Sequence, residues 1–323
     1  MDKREFCNEM IRQIMEILPA EEREGLDLQL QTIVKVNDQE LNGLIFRRDD
    51  NNAAPTIYLD DAYEDHERGA SIRSIADNIV SVYMDCKDMQ PAQKNIESLD
   101  LSYDNIRDKI TMRLVEIKRN RQFLQDRPYM NVGNGLAVIC DIQVEGPGGT
   151  GVISINNDLV KQNGYDRRLL FENAMEDAWH NAPPTLYDMQ QSLFGGAGEN
   201  LLADGASIEQ TDKAMMYVLS NREYQFGAVS MFYPDIQKRI SDTLQEGYYA
   251  LPSSLHEYLI IPESAGVDVK ELTEMVRSAN RNESVVSPKD VLSDQVLHYD
   301  MNTRMLDAVA EPGMRDAQRM EAR

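Results

Sequence analysis

Cysteine is scarce in this sequence: three residues, at positions 7, 86 and 140. An odd number at such wide spacing excludes a disulfide framework and fits a reducing compartment. No Cys-x-x-Cys or His-x-x-x-His pair occurs, so the usual zinc-ligand spacings are missing and no metal or cofactor is expected. The cysteines read as free, buried small hydrophobes. Titrating thiols after denaturation without reductant is expected to find all three, and finding only one would contradict that. Long apolar runs are also lacking, since no stretch approaches the roughly 18 residues that a membrane helix needs. Met1-Asp2-Lys3-Arg4-Glu5-Phe6 does not lead from a basic region into an apolar one, as a secretory signal does. The expected location is the cytoplasm.

Positive charge is in short supply. Lys and Arg total 33 against 55 Asp and Glu, a net charge of −22. A surface of that sign repels nucleic-acid phosphates and anionic lipid headgroups. Neither duplex nucleic acid nor a membrane is an expected partner, and a basic protein is.

What the chain does contain is periodicity. Phe6, Met10, Ile14 and Ile17 recur at helical spacing until Pro19. Leu28, Leu30, Thr32 and Val34 then alternate with polar residues, Asn37-Asp38 supplies a turn, and an apolar run resumes over 41–47, which predicts a hairpin. A third strand over 56–59 and a helix carrying Ile72, Ile75, Ile79, Val82 and Tyr83 complete a first α+β unit, residues 1–100. Ile106, Ile110, Leu114 and Ile117 lie four or three apart among Arg107, Lys109, Arg113, Lys118, Arg119 and Arg121. That spacing predicts a basic amphipathic helix over 103–124, connecting the units across 101–130. A second α+β domain is expected over 131–308. Its strands are placed at 136–144, 151–155, 216–219, 258–261 and 295–299, and its helices at 167–180, 235–244 and 269–280. Residues 309–323 read as a frayed tail. The fold class is therefore α+β, two mixed units with antiparallel hairpins packed against helices.

Two glycine clusters fail as nucleotide motifs. In Gly146-Pro147-Gly148-Gly149-Thr150-Gly151 the residue after the last glycine is Val152, where a P-loop needs Lys. Gly195-Gly196-Ala197-Gly198 follows a helical stretch and offers no dinucleotide-binding frame. Of the four histidines, His180 follows Trp179 near a helix end, where it would meet the helix dipole. Asp60-Asp61, with Glu64 and Asp65, lacks the alternating ligands and central glycine of a calcium loop and reads as a solvated helix start. The densest polar cluster is Pro252-Ser253-Ser254-Leu255-His256-Glu257. It has no Gly-x-Ser-x-Gly elbow, and Ile260 breaks a His-Glu-x-x-His zinc motif.

Ala54-Pro55-Thr56-Ile57-Tyr58-Leu59, Tyr217-Val218-Leu219-Ser220-Asn221, Phe226-Gly227-Ala228, Leu251 to Glu257 and Val291-Leu292-Ser293-Asp294 resemble, in this order, an uncharacterised family of anaerobic gut bacteria. The resemblance spans roughly residues 3 to 300. It implies a cytoplasmic accessory protein, often encoded in or beside conjugative elements and prophages, and supplies no mechanism. Two functions follow from different features. Net charge favours an acidic interaction protein that binds a basic protein partner. The local cluster favours a hydrolase or transferase in a cleft between the two units, with Ser254 as nucleophile, His256 as base, Glu257 beside them and a triad acid elsewhere. The first is preferred, because the acidity belongs to the whole chain while the cluster fails the stricter motifs. The alternative to both roles at 252–257 is architectural, with a serine closing a turn and His256 bonded to backbone.

Overall fold

Asp2 opens the first helix (Lys3–Ile17) with a reciprocal cap: its side chain accepts from the Glu5 amide at 2.8 Å, and Glu5 accepts from the Asp2 amide at 3.1 Å. Phe6, Cys7, Met10 and Ile14 form its buried face. That face packs against the helix Ile72–Asp88, which contributes Ile75, Ala76, Ile79, Val80 and Tyr83 to the same core. In the computed structural model residues 1–48, 55–88, 100–146, 149–190, 200–203 and 214–309 are described. Contacts divide the chain into two units, Met1–Leu101 with Val144–Gly151 and Ser102–Gln143 with Val152–Arg323.

The first unit is an antiparallel three-stranded sheet, β1 (Leu26–Lys35), β2 (Gln39–Arg48) and β3 (Thr56–Tyr58), with the two helices. The first hairpin pairs without a slip from Leu26↔Arg48 to Lys35↔Gln39. Its turn needs left-handed backbone at Asn37 (φ 62°) and Asp38 (φ 51°), two residue types that tolerate it. Leu44 and Phe46 point into the core, and Phe46 stacks on Tyr83 at 4.3 Å. The acidic start of the helix Asp60–Glu67 is not simply solvated. Asp60 accepts from the Asn42 amide at 2.7 Å and pairs with Lys3 at 2.6 Å.

The second unit holds the larger sheet, ordered β13-β12-β10-β11-β9-β8, antiparallel throughout. Its strands are β8 (Pro184–Asp188), β9 (Tyr217–Asn221), β10 (Tyr248–Ser254), β11 (Glu257–Pro262), β12 (Leu297–Asp300) and β13 (Met305–Ala308). The Val269–Arg281 helix, capped by Asp268, lays Leu272 and Val276 against Leu251, Ile261 and Val296. In the other sheet β6 (Leu136–Gly146) lies between β4 (Ile110–Glu116) and β5 (Met130–Gly133), and β7 (Gly149–Ser154) also pairs with β6. The α+β class is as the sequence predicts.

The basic helix over 103–124 is not there. Only Tyr103–Ile106 is α-helical; β4 follows and pairs with β6 from Ile110↔Ile142 to Glu116↔Leu136. Its basic residues do not form a stripe either. Arg107 pairs with Asp177 at 2.9 Å, Arg113 with Asp141, and Arg119 with Glu116 and Asp294 at 2.9 and 2.6 Å. The helix over 167–180 is two, Arg167–Glu176 and Ala178–Asn181. The glycines at 195–198 and the tail over 310–323 lie outside the described residues.

Candidate functional site

The cluster at 252–257 is a hairpin tip. β10 and β11 pair from Tyr248↔Pro262, slip at a bulge between Pro252 and Ser254, and close at Ser254↔Glu257. Only Leu255 and His256 remain to make the turn. Leu255 is buried, its amide donating to the Asp290 carbonyl at 2.8 Å and its carbonyl accepting from the Ala228 amide at 3.4 Å. Both neighbouring segments therefore clamp the tip.

Each sequence-predicted residue has an assigned partner. Ser254 Oγ accepts from the His256 amide at 3.0 Å, a serine-closed turn. Ser253 Oγ donates to Glu257 Oε1 at 3.0 Å. His256 Nδ1 accepts from the Phe226 amide at 3.1 Å. Because a backbone N–H can only donate, that nitrogen carries no proton, and the proton of the neutral ring sits on Nε2. Nε2 lies 3.6 Å from Asp290 Oδ1, an acid brought in from outside the cluster. Neither ring nitrogen bonds a serine hydroxyl among the described residues, so the structure brings Ser254 and His256 together without the nucleophile–base hydrogen bond of a hydrolase.

The floor of the site comes from β9 and the loop after it. Ser220 Oγ donates to the His256 carbonyl at 2.8 Å. Asn221 holds both backbone polar groups of Gln225, accepting from its backbone N–H at 3.1 Å and donating to its backbone carbonyl at 2.8 Å. This folds the loop back so that the Phe226 ring stacks on the His256 imidazole, centroids 5.4 Å apart and planes 23° apart. The Arg113 guanidinium lies 4.4 Å from the Phe226 centroid, a cation–π contact. At the rim, Tyr224 stacks on Tyr187 of β8 at 6.3 Å and stays 54% exposed. The Tyr224 phenol is held above its ordinary value by partial burial, then by Tyr187 and by the Glu257 carboxylate, which sets an acid close to the exposed Tyr224 and its half-buried partner.

A second polar group extends from the end of β4. Glu116 Oε1 accepts from Ser293 Oγ at 3.0 Å, and Asn280 Nδ2 bridges the Ser293 carbonyl and Asp294 at 3.0 and 2.8 Å. The Tyr258 hydroxyl is buried without a hydrogen-bond partner among the described residues, and burial, then Glu116, pushes its phenol well up. Four segments that carry the sequence resemblance, 217–221, 226–228, 251–257 and 291–294, thus supply one region of the second unit. Asp290 lies outside the polar cluster, and the sequence marks it by nothing more than its place just before Val291. The remaining histidines serve elsewhere. His66 Nδ1 meets the Ala70 carbonyl at 3.1 Å, His298 Nε2 meets Glu263 at 2.6 Å, and His180 sits exposed in the short Ala178–Asn181 helix. No group of three potential metal ligands occurs among the described residues.

Removing these bonds has a measurable expectation. His256→Ala strands the Phe226 amide and Ser254→Ala strands the His256 amide, at about 1–3 kcal/mol each. Thermal midpoints should fall by roughly 2–4 °C per kcal/mol. Unchanged or raised midpoints in both variants would instead favour a catalytic role, since active-site residues are commonly held at the expense of stability.

The fold and the site define an antiparallel α+β protein with a histidine-centred hairpin tip. A family of unknown function (DUF5688) matches residues 3–301, and the chain belongs to that family. No curated protein and no solved structure matches it.

Proposed function

We propose that the protein is a non-catalytic binding protein of the cytoplasm that takes up a basic protein partner, with the rim of the hairpin tip as the contact. One observation carries this reading: the hydroxyl and imidazole groups that a hydrolase would use hold backbone amides, while Tyr224 and Glu257 stand at the rim. A lysine or arginine side chain would lay its stem along Tyr187 and Tyr224 and direct its charge to Glu257. The net charge of −22 adds long-range attraction and faster encounter. Buried free Cys7 and Cys140 accord with a reducing compartment. The sequence resemblance supports an accessory role beside conjugative elements or prophages.

The test is fluorescence anisotropy with a labelled peptide of arginine–alanine repeats. Binding is expected at low salt and should weaken steeply as the Debye length falls from about 10 Å at 0.1 M to about 3 Å at 1 M. Tyr224→Ala leaves the net charge untouched and should lower affinity several-fold. Wild-type affinity in that variant would mean that charge alone attracts the peptide and would remove the rim from the account.

A further inference from the structure

The second unit has an open cleft of about 380 Å³ whose charge opposes that of the whole chain. Arg127, Pro128, Tyr129 and Met130 form one wall, and Arg167, Arg168, Phe171 and Glu172 of the Arg167–Glu176 helix form the other. Three guanidinium groups therefore face one carboxylate. Glu172 is already engaged, accepting from Arg168 Nε at 2.6 Å. Among the described residues Arg167 bonds only the neutral Asn157 amide oxygen, at 2.7 Å. Arg127 lies 3.8 Å from the centroid of the Phe123 ring and donates from Nε to the Phe123 carbonyl at 3.2 Å. Neither Arg127 nor Arg167 pairs with a carboxylate among the described residues, although Arg127 is half-buried. Burial is the first cause that lowers the Arg127 pKa, and the Asp141 and Asp126 carboxylates offset it only in part, so this cation is held with reduced hydration. A desolvated guanidinium with open terminal N–H groups favours an oxyanion.

The rest of the lining limits what carries the oxyanion. Phe171 and Pro128 are buried, and Tyr129 is 45% exposed beside Arg127. The cleft is within the usual size for a small-molecule site, which is mostly apolar with a few placed polar groups. A polyanion would be repelled by the chain at large.

The geometry points to a binding site for a small organic phosphate with a flat ring system, its phosphate between Arg127 and Arg167 and its ring against Tyr129 and Phe171. Two guanidinium groups from separate elements suit a phosphate dianion better than a carboxylate. Affinity should therefore rise with pH as the phosphate loses its second proton near about pH 6. This site is separate from the hairpin tip and does not depend on the function proposed for it.

Isothermal titration with adenosine monophosphate, adenosine and inorganic phosphate tests the assignment on the full chain. Adenosine monophosphate should bind at least about tenfold more tightly than either fragment. Arg167→Gln and Arg127→Met should each weaken it by a similar factor. Because Arg127 is half-buried, the exposed Arg167 variant keeps the test decisive if the other fails to fold. Absence of binding, equal affinity for the nucleotide and inorganic phosphate, or wild-type affinity in Arg167→Gln would each overturn the assignment.

Discussion

Gly227→Ala is expected to be the most damaging single substitution at the hairpin tip. A methyl group at this position would meet Ser220 Oγ, the Asn221 amide nitrogen at 2.5 Å and the His256 carbonyl oxygen at 2.7 Å. Two of the three are backbone atoms, which cannot swing aside as a side chain can. They belong to β9 and to the turn, which Ser220 Oγ joins through the His256 carbonyl. Relief would require parting the loop from the hairpin, with loss of that bond and of the Phe226–His256 bond together. Overpacking of this kind costs about 1–3 kcal/mol and occasionally more, and the backbone contacts place this case at the upper end. At roughly 2–4 °C per kcal/mol the thermal midpoint should drop visibly. A variant as stable as wild type would mean that the loop and the tip are not in close contact.

Breaking the Arg113–Asp141 pair should have a comparable or larger effect. Asp141 is 1% exposed on β6, and its partner reaches it from β4. Asp141→Asn removes the counter-charge while leaving a buried guanidinium, a change that costs about 3–5 kcal/mol. The pair is not fully satisfied, since Asp141 Oδ1 and Arg113 Nε have no hydrogen-bond partner among the described residues. Replacing both residues by apolar ones, Arg113→Met with Asp141→Leu, should therefore recover much of the loss. Denaturant unfolding of the single and double variants decides this, and a double variant less stable than the single one would contradict it. The consequence reaches the site, because the Arg113 guanidinium rests on the Phe226 ring whose amide holds His256.

The sequence is informative where a period is long and unambiguous. The first helix, the β1–β2 hairpin and the Val269–Arg281 helix lie close to where their apolar spacing predicts. The stretch over 103–124 misleads for a definable reason. Ile106, Ile110 and Leu114 are four apart, a spacing that one helix face satisfies but that is also an even multiple of the strand period of two. Met112 completes the strand alternation, and β4 buries Ile110, Met112 and Leu114 on one face. Short strands such as β5 and β13, four residues each, carry too few turns of any period to register. β8 begins at Pro184 and lies at the sheet edge, where a missing N–H is tolerated.

At the site, the sequence places the polar cluster on a turn and finds Ser254, His256 and Glu257. It does not reveal which way they face. That depends on Phe226 and Ser220, about thirty residues upstream, and on Asp290, more than thirty downstream, which only the sheet order brings together. Tyr187 and Tyr224 are equally silent in sequence, because their stacking depends on an edge strand and on a loop with left-handed backbone at Tyr224 (φ 51°).

The most direct measurement of the central claim is an amide-resolved NMR titration of the isotopically labelled protein with the arginine–alanine peptide. Shifts are expected to concentrate at Tyr187, Tyr224, Glu257 and their sequence neighbours and to diminish as salt is raised. Shifts spread over acidic positions throughout the chain, or confined to residues away from the hairpin tip, would contradict it.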